Sequence, residues 1–325
     1  MSERIGWGLV GPGRFAQEFV SELQTVTDAE LVGVGSRKLE RAERFAQEFG
    51  FQKAFGSYEE LFADPAVQVV YLVVPHVFHR ELAEQALRAG KAVLCEKPLT
   101  LSSADTEALI GVAQEEGRFL MEAMKTAFLP PVLRAKQWLE EGAIGEPVMA
   151  RADFCFRGAN DPKDRLLNPE LGGGCLLDVG IYPLYLTRLL FGDVVTLQGT
   201  GTLASTGVED AVSLSAMHES GVCSSMTCSM RSVDSMDAVI EGSEGRILLP
   251  KFHGGTRAEL LREGGGGEVF EASRKGMVLD EIEAVHHCLR SGHLECAQHT
   301  QADSLALAQL MEWALREVRE NSVSK

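Results

Sequence analysis

The stretch Ile5 to Ala16, IGWGLVGPGRFA, constrains the fold more than any other part of this chain. Its apolar half, Ile5 to Val10, has the composition of a buried strand, and an amphipathic helical pattern begins near Arg14, after Gly11-Pro12-Gly13. Glycines in such a turn let the backbone approach a pyrophosphate, and the following helix directs its positive end at that anion. The order strand, G-x-G-x-x-A turn, helix predicts a dinucleotide-binding domain. An ordinary glycine-rich turn is the alternative.

The second predicted strand, residues 30–36, ends in cations instead of a carboxylate. A NAD enzyme carries Asp or Glu at this point to hold the ribose 2′-hydroxyl. Here Ser36, Arg37 and Lys38 occupy the position, and Arg41 follows one turn later. Guanidinium groups match phosphate oxygens, so this set favours the 2′-phosphate of NADP. A solvated helix start is the alternative explanation of these cations.

Length and composition are typical of a two-domain globular protein, with 325 residues, 45% hydrophobic and 24% charged. The net charge of −16 argues against nucleic acid or an anionic membrane as a partner, because either would be repelled. We recognise no signal peptide and no apolar run near the ~20 residues that span a bilayer. The seven cysteines are scattered without CxxC spacing, which predicts free thiols in a reducing cytoplasm.

Strand and helix patterns alternate over residues 1–124, which predicts a doubly wound parallel sheet with helices on both faces. After the second strand we expect helices over Leu39–Phe49, Phe78–Ala89 and Ser103–Glu116. The remaining strands are expected at Lys53–Phe55, Val67–Val74, Ala92–Cys95 and Phe119–Met124.

Beyond residue 145 the apolar residues recur with period two, as in Val148–Phe156, which predicts an open, mostly antiparallel sheet. Two hairpins are expected, on the turns at residues 242–245 and 264–267. Helices are expected on one face of this sheet, and the other face is available as a dimer surface. The predicted division is a cofactor domain (1–124), a substrate-binding and dimerisation α+β domain (125–302) and a C-terminal helix that packs back on the body (303–325).

Three polar groups are predicted where ligands of doubly wound sheets bind, outside the carboxyl ends of strands. The first is Glu96-Lys97-Pro98. A residue before proline is held extended, so Lys97 is expected to project toward the cofactor. Its ammonium can polarise a hydroxyl or carbonyl, or lower the pKa of a neighbouring proton donor. A plain surface lysine is the alternative.

The second group, Pro75 to His79, contains two histidines three residues apart, His76 and His79. No third metal ligand is evident, so we predict no metal site. His79 is a candidate for lining the ligand crevice, and a helix-start histidine of no special role is the alternative.

The third group is GGGCLLDVGIY, residues 172–182, whose glycines allow close approach of the backbone to a ligand. Asp178 and Tyr182 share a face if the segment is helical. Pro183 requires the helix to begin only a few residues upstream, so N-capping is an alternative role for Asp178. Tyr182 fits either core packing or a proton donor.

The motifs GPGRFA at 11–16, CEKP at 95–98 and GGGCLLDVGIY at 172–182 resemble those of the glucose–fructose oxidoreductase/inositol dehydrogenase (Gfo/Idh/MocA) family. Within that family, the chain is most similar to the dimeric dihydrodiol dehydrogenases and the NADP-dependent D-xylose dehydrogenases. That closer similarity lies in AGKAVLCEKP at 89–98, FLMEAMKTAFLP at 119–130 and LLDVGIY at 176–182.

The resemblance implies an N-terminal Rossmann domain and a C-terminal domain whose open sheet can mediate dimerisation. It also implies that Lys97 is catalytic. Many relatives have histidine at the position of Tyr182, whereas dihydrodiol dehydrogenases and glucose–fructose oxidoreductase have tyrosine, taken as their acid/base. The tyrosine favours sugar, dihydrodiol or related carbonyl substrates over inositol.

We therefore expect reversible hydride transfer between NADP(H) and a carbinol carbon of a sugar, polyol, dihydrodiol or dicarbonyl, in a cytoplasmic homodimer or dimer of dimers. Tyr182 is the expected general acid/base, Lys97 favours its tyrosinate form, and Asp178 orients the substrate or Lys97. Further candidates for substrate contact are His79, Phe154 and Arg157. The expected cofactor contacts are Gly11, Gly13, Arg14, Phe15, Ser36, Arg37, Lys38, Arg41, Pro75, His79, Glu96 and Lys97.

Two other functions remain open at this point. One is a non-catalytic NADP-binding regulator that recognises a partner protein through the open sheet. Lys97 and Tyr182 argue against it, because a sensor needs no proton donor. The other is a hydrolase that uses a tightly held cofactor to oxidise and re-reduce a glycoside, and a cofactor that co-purifies without turning over would indicate it.

Overall fold

The chain divides into two compact units in a computed structural model that describes residues 4–158, 161–273 and 276–324. The first unit comprises Met1–Met124 and Val278–Ala308, and the second comprises Lys125–Met277 and Gln309–Lys325. The predicted boundary placed residues 278–302 in the second domain, whereas they group with the cofactor half. The reason is local packing: the backbone N–H of Val278 donates to the Glu22 carboxylate over 2.9 Å.

A six-stranded parallel sheet forms the centre of the first unit. Its strands are β1 (Ile5–Val10), β2 (Ala29–Gly35), β3 (Lys53–Phe55), β4 (Val69–Leu72), β5 (Ala92–Glu96) and β6 (Leu120–Ala123). They lie in the order β3-β2-β1-β4-β5-β6, and every pairing is parallel. This is the strand order of dinucleotide-binding domains, in which ligands bind where the order reverses, between β1 and β4. The predicted doubly wound sheet is confirmed.

Predominantly apolar strands explain why this sheet is buried. All four residues of β4 and all six of β1 are buried, as expected for parallel strands covered on both faces. Val10, Val32, Val70, Leu72 and Val93 belong to one core cluster.

Helices cover this sheet: α1 (Arg14–Leu23), α2 (Leu39–Phe49), α3 (Tyr58–Ala63), α4 (His79–Arg88), α5 (Ser103–Glu115) and, after the second unit, α8 (Leu279–Ser291). The sequence analysis missed α3, which is too short for a clear apolar period. Its signal is the cap, because the Ser57 hydroxyl accepts from the backbone N–H of Glu60 at 3.2 Å. The predicted helix from Phe78 begins as a 3-10 turn over His76–Phe78 and becomes α-helical at His79.

The second unit is a large mixed sheet, mostly antiparallel as predicted. Its strands are β7 (Pro147–Arg157), β8 (Val194–Leu203), β9 (Glu209–His218), β10 (Cys223–Ser229), β11 (Arg231–Ser235), β12 (Ala238–Gly242), β13 (Gly245–Leu249), β14 (Arg257–Arg262), β15 (Gly267–Glu271) and β16 (Val323–Ser324). The order is β15-β14-β13-β12-β7-β10-β9-β8-β16, and β11 also pairs with β7. Only the β7–β10 and β8–β16 pairings are parallel among the described strands of this sheet. Both predicted hairpins, β12–β13 and β14–β15, are confirmed.

One face of this sheet is covered by helices α6 (Pro130–Glu140) and α7 (Ile181–Phe191) and by the C-terminal part of α9 (Gln301–Glu320). Gly199 and Gly201 of β8 make room for Val318 of α9, since a methyl group on either glycine would lie 3.1–3.2 Å from the valine side chain. On the opposite face, Met149 is 46% exposed.

One helical stretch of the described chain, Pro169–Phe191, is long and apolar enough to cross a membrane by length and composition. The sequence analysis did not single it out as such a run. In its most apolar window, 78% of the residues are buried inside the protein, as in the core helix of a globular unit.

Candidate functional site

The turn after β1 has a backbone that only glycine fits. Gly11 has a φ of +94°, and a methyl group there would lie 2.6 Å from the carbonyl oxygen of Val73. The backbone N–H of Gly13 donates to the carbonyl of Gly11 over 2.8 Å, which closes the turn. Helix α1 starts at the next residue, Arg14, and its first turn, RFAQ, contains no acidic residue. This geometry fits an anion at the positive end of α1.

Cations from the end of β2 lie around this turn. The guanidinium of Arg41 donates to the carbonyl of Pro12 over 3.3 Å, which ties α2 to the glycine turn. The guanidinium of Arg37 lies 5.5 Å from the centre of the Phe78 ring. Ser36 is 5% exposed, and its hydroxyl accepts from the backbone N–H of Lys38 over 3.3 Å. Arg37 and Arg41 thus contact Phe78 and the glycine turn, and all three cations keep the exposure expected of a solvated helix start.

A cavity of about 440 Å³ lies beside Arg37 in the first unit. Six of its lining residues are Arg37, Tyr58, Val74, Pro75, Phe78 and Gln85. Apolar and aromatic walls next to a guanidinium and a glycine turn fit the adenosine half of a dinucleotide. The predicted contacts Arg37 and Pro75 lie here together.

Tyr58 is a cavity residue that the sequence analysis missed together with α3. Burial raises the pKa of its phenol above the ordinary value of 10.0, although the nearby Arg37 and Arg41 act in the opposite direction. A phenol that keeps its proton can donate a hydrogen bond to a phosphate or ring nitrogen in this cavity.

Lys97 follows β5 directly and is 8% exposed, so the alternative of a plain surface lysine is wrong. The peptide bond between Lys97 and Pro98 is cis. Glu96, the last residue of β5, accepts a hydrogen bond of 2.5 Å from the hydroxyl of Tyr71. The strand end is therefore held by a side-chain contact immediately before the lysine.

His79 is fully buried, and its two ring nitrogens lie 2.8 Å from the carbonyl of Pro98 and 2.9 Å from that of Val74. Burial lowers the pKa of its imidazole below 6.5. The predicted contact of His79 with cofactor or substrate is corrected, because the side chain has no exposed surface and both nitrogens face backbone carbonyls. His76 is buried beside it, and among the described residues no three His, Cys, Asp or Glu side chains could hold a metal ion.

In the second unit, a single π-helical turn, Leu176–Gly180, leads into α7 and carries Asp178. A carboxylate oxygen of Asp178 lies 2.9 Å from the guanidinium of Arg165. The capping position of α7 is Gly180, so the alternative that Asp178 is its N-cap is wrong. Tyr182 is the second residue of α7 and is 6% exposed.

Three side chains of the second unit surround the ring of Tyr182. The ring centres of Phe154 and His253 lie 5.4 Å and 6.2 Å from that of Tyr182, and those two rings are 4.2 Å apart. The ammonium of Lys125 lies 5.5 Å from the Tyr182 ring centre and 3.7 Å from the sulfur of Met277. Lys125 is 6% exposed, so a positive charge lies in a largely buried position beside a phenol.

Lys125 and His253 were missed by the sequence analysis. A signal existed for Lys125, because it is the only charged residue in the run AMKTAFLP. His253 lies in the loop after β13, and nothing in the local pattern relates it to Tyr182.

Arg157 does not join the group around Tyr182. It is exposed at the end of β7, three residues from Phe154. Successive side chains of a strand alternate between its faces, so Arg157 and Phe154 point in opposite directions. The substrate contact of Arg157 therefore stays a prediction that the geometry around Tyr182 does not support, whereas Phe154 lies beside Tyr182.

Two family models match the chain. The first, described as the oxidoreductase family with an NAD-binding Rossmann fold, matches residues 5–124. The second, the Gfo/Idh/MocA C-terminal domain, matches residues 132–248.

Individual proteins are similar over nearly the whole chain. Trans-1,2-dihydrobenzene-1,2-diol dehydrogenase of Mus musculus is 35% identical, covering 97% of both chains, and that of Sus scrofa is 34% identical, covering 95% of both. The crystal structure of a 3-ketoreductase from Actinomadura kijaniata, in complex with NADP and TDP-benzene, superposes with a TM-score of 0.87 at 28% identity over 99% of both chains. The aldose–aldose oxidoreductase of Caulobacter crescentus, complexed with glycerol, has a TM-score of 0.89 at 25% identity over 98% of both.

The matches to both family models and the full-length similarity agree with the strand order, the glycine turn and the mixed second sheet. The protein therefore belongs to the Gfo/Idh/MocA family of oxidoreductases.

Proposed function

We propose that this protein is an NADP-dependent oxidoreductase that interconverts a carbinol and a carbonyl in a sugar, polyol, dihydrodiol or dicarbonyl. The observation that carries the proposal is Tyr182, a largely buried phenol whose ring centre lies 5.5 Å from the ammonium of Lys125. The same chain has the glycine turn expected of a dinucleotide site. A phenol beside a cation is suited to exchange a proton with a substrate oxygen near neutral pH. The relatives support the substrate class, since their names include a dihydrodiol dehydrogenase, a ketoreductase and an aldose oxidoreductase.

NADP is preferred over NAD in this proposal because the end of β2 provides Arg37 and Arg41 and no carboxylate. Arg41 is anchored to the glycine turn, where the sugar adjoining the pyrophosphate would lie. Guanidinium groups can hold a 2′-phosphate by paired hydrogen bonds. The related ketoreductase crystallised with NADP supports the same preference.

In the proposed mechanism, NADP(H) would be held by the glycine turn after β1 together with Arg37 and Arg41, and when bound it would supply hydride exchange with the carbinol or carbonyl carbon. Tyr182 takes the hydroxyl proton during oxidation and returns a proton to the carbonyl oxygen during reduction. We propose that Lys97 acts in the same step, its ammonium favouring the phenolate and polarising the substrate oxygen. Asp178, oriented by Arg165, would accept a hydrogen bond from a substrate hydroxyl.

We propose that the protein acts as a homodimer or a dimer of dimers, formed through the helix-free face of the second sheet. Met149 and Cys223 are register partners whose side chains are exposed on that sheet. The proposed location is the cytoplasm, where the seven free thiols would stay reduced. Sedimentation of the purified protein tests the assembly.

The experiment that tests the activity is a panel of aldoses, polyols, dicarbonyls and trans-dihydrodiols, assayed in both directions by NADPH absorbance. We expect turnover with at least one class. If NADPH binds but no member of the panel is oxidised or reduced, the proposal is wrong and a regulator becomes the better account. A cofactor that co-purifies and stays bound while a glycoside is cleaved would instead indicate the hydrolase.

The cofactor preference has its own test in Arg37→Ala. Removing a guanidinium that holds a 2′-phosphate should raise the Kd of NADPH about 10-fold or more, since charge-assisted hydrogen bonds contribute about 1.5–3 kcal/mol. The Kd of NADH, which lacks that phosphate, should change much less. Equal losses for the two cofactors, measured by fluorescence titration, would remove the argument for NADP.

A further inference from the structure

A buried carboxylate, Glu122, lies one strand away from Lys97 in the first unit. It belongs to β6, pairs in register with Cys95 of β5, and is 2% exposed. A carboxylate at such a position is costly unless hydrogen bonds compensate its lost hydration. The contacts of the Glu122 carboxylate therefore indicate its role.

One oxygen of Glu122 holds the turn that carries Lys97. The backbone N–H of Leu99, two residues after Lys97, donates to it over 2.8 Å. From another side, His79 lies 2.8 Å from the carbonyl of Pro98. The peptide group between Pro98 and Leu99 is thus held at both its carbonyl and its N–H by buried side chains from two neighbouring elements.

The second oxygen of Glu122 is held by His299, which lies just before α9 and is itself contacted by Ser304 of that helix. It lies 3.2 Å from the Nε2 atom of His299, which is 1% exposed. The same Nε2 atom lies 3.1 Å from the hydroxyl of Ser304, which is also buried. The side chain of Glu122 is therefore held through both carboxylate oxygens, and its rotation would break the contacts with Leu99 and His299 at once.

We propose that Glu122 is a positioning residue for Lys97: with His299 and Ser304 behind it, it fixes the turn at residues 97–99 and so the direction of the Lys97 ammonium. The inference rests on the catalytic role of Lys97 proposed above. It gives a function to the FLMEAMKTAFLP segment, of which Glu122 is the only acidic residue. A carboxylate needed only for packing would not have to face the backbone N–H of this turn.

The test is a double-mutant cycle between Glu122→Ala and Lys97→Met, measured as kcat at saturating substrate and NADPH. Alone, Glu122→Ala should lower kcat at least about 10-fold, and in the Lys97→Met background it should change kcat less than about 2-fold, because coupled residues are non-additive. Glu122→Gln should restore kcat to within about 3-fold of wild type, since its amide oxygen can still accept from Leu99. If Glu122→Ala does not fold, Glu122→Asp, one methylene shorter, replaces it in the cycle with the same expectation.

His286→Ala is the matched control, because it removes another buried polar side chain of the first unit, bonded to Trp7 and Asp28. It should lower Tm as Glu122→Ala does but leave kcat unchanged. Equal percentage losses from Glu122→Ala with and without Lys97, or full activity of Glu122→Ala while Lys97→Met is inactive, would overturn the inference alone. Full activity of Lys97→Met would overturn the catalytic role of Lys97, and this inference with it.

Discussion

The contact between Lys125 and Tyr182 places a cation beside a phenol within the second unit. A charge 5.5 Å from the ring centre, in a position only 6% exposed, is weakly screened by solvent. We propose that the Lys125 ammonium, like that of Lys97, favours the phenolate over the neutral phenol. The residue was missed in the sequence because its partner lies 57 positions away, and only the fold brings α7 to the turn at Lys125–Ala127.

Lys125→Met tests this electrostatic contribution. In the proposed mechanism Tyr182 is the general base of oxidation, so loss of the ammonium should move the midpoint of the rising limb of kcat/KM against pH upward. Lys125→Arg should keep the midpoint near that of wild type. The matched control is Lys136→Met, which removes a half-exposed lysine of α6 and should leave the profile unchanged. An unshifted midpoint in Lys125→Met would show that this ammonium does not act on the proton donor.

Among the helices and strands, sequence patterns predicted those whose signal is a hydrophobic period over a few neighbouring residues. Helix α2 and strand β3 have the predicted bounds, and for α2 the reason is that an amphipathic period is a local signal. Helix α3 was missed because six residues make fewer than two turns, and its cap at Ser57 was the only cue. The role of His79 was misjudged for a different reason: its partners, Val74 and Pro98, lie on two different connections and are brought together only by the sheet.

The glycine turn allows a prediction that compares two glycine-to-alanine variants. Gly11→Ala should weaken NADPH binding by at least about 10-fold, because a side chain is strained at a φ of +94° and would press on the Val73 carbonyl. Gly50→Ala, at the left-handed glycine that ends α2 (φ +76°), should leave NADPH binding nearly unchanged, since a methyl group there would have none of the described atoms within 4 Å and Gly50 is not among the proposed cofactor contacts. Fluorescence titration of both variants measures the difference. Similar Kd values for the two variants would contradict the assignment of this turn to the cofactor.

For the whole molecule, buried neutral histidines set the response to acid. Burial lowers the pKa values of His79 and His286 in the first unit and of His218 in the second, all below the ordinary 6.5. The unfolded chain therefore binds more protons than the folded chain as the pH falls below that value. The stability that these residues contribute is complete above about pH 6.5 and is lost as the pH falls toward their folded-state pKa values.

We accordingly expect Tm to fall between pH 7 and pH 5, before most carboxylates are protonated. The carboxylates lose their stabilising contribution at lower pH, as Asp64 illustrates. The Lys53 ammonium holds the pKa of the Asp64 carboxyl below 3.8, so the stability that Asp64 contributes is lost only below that pH. Calorimetric scans in steps of half a pH unit distinguish the two windows. A Tm that stays constant down to pH 5 would contradict the account of the histidines.

The most direct test of the central claim is the single-turnover rate of hydride transfer in Tyr182→Phe, followed by NADPH absorbance in a stopped-flow instrument. The account predicts a loss of at least about 10²-fold, as expected when a general acid–base group is removed, with the Kd of NADPH little changed. Tyr185→Phe, one turn along the same helix and 2% exposed, should transfer hydride at nearly the wild-type rate. A near-normal rate in Tyr182→Phe with NADPH bound would contradict the proposal that this phenol carries the proton.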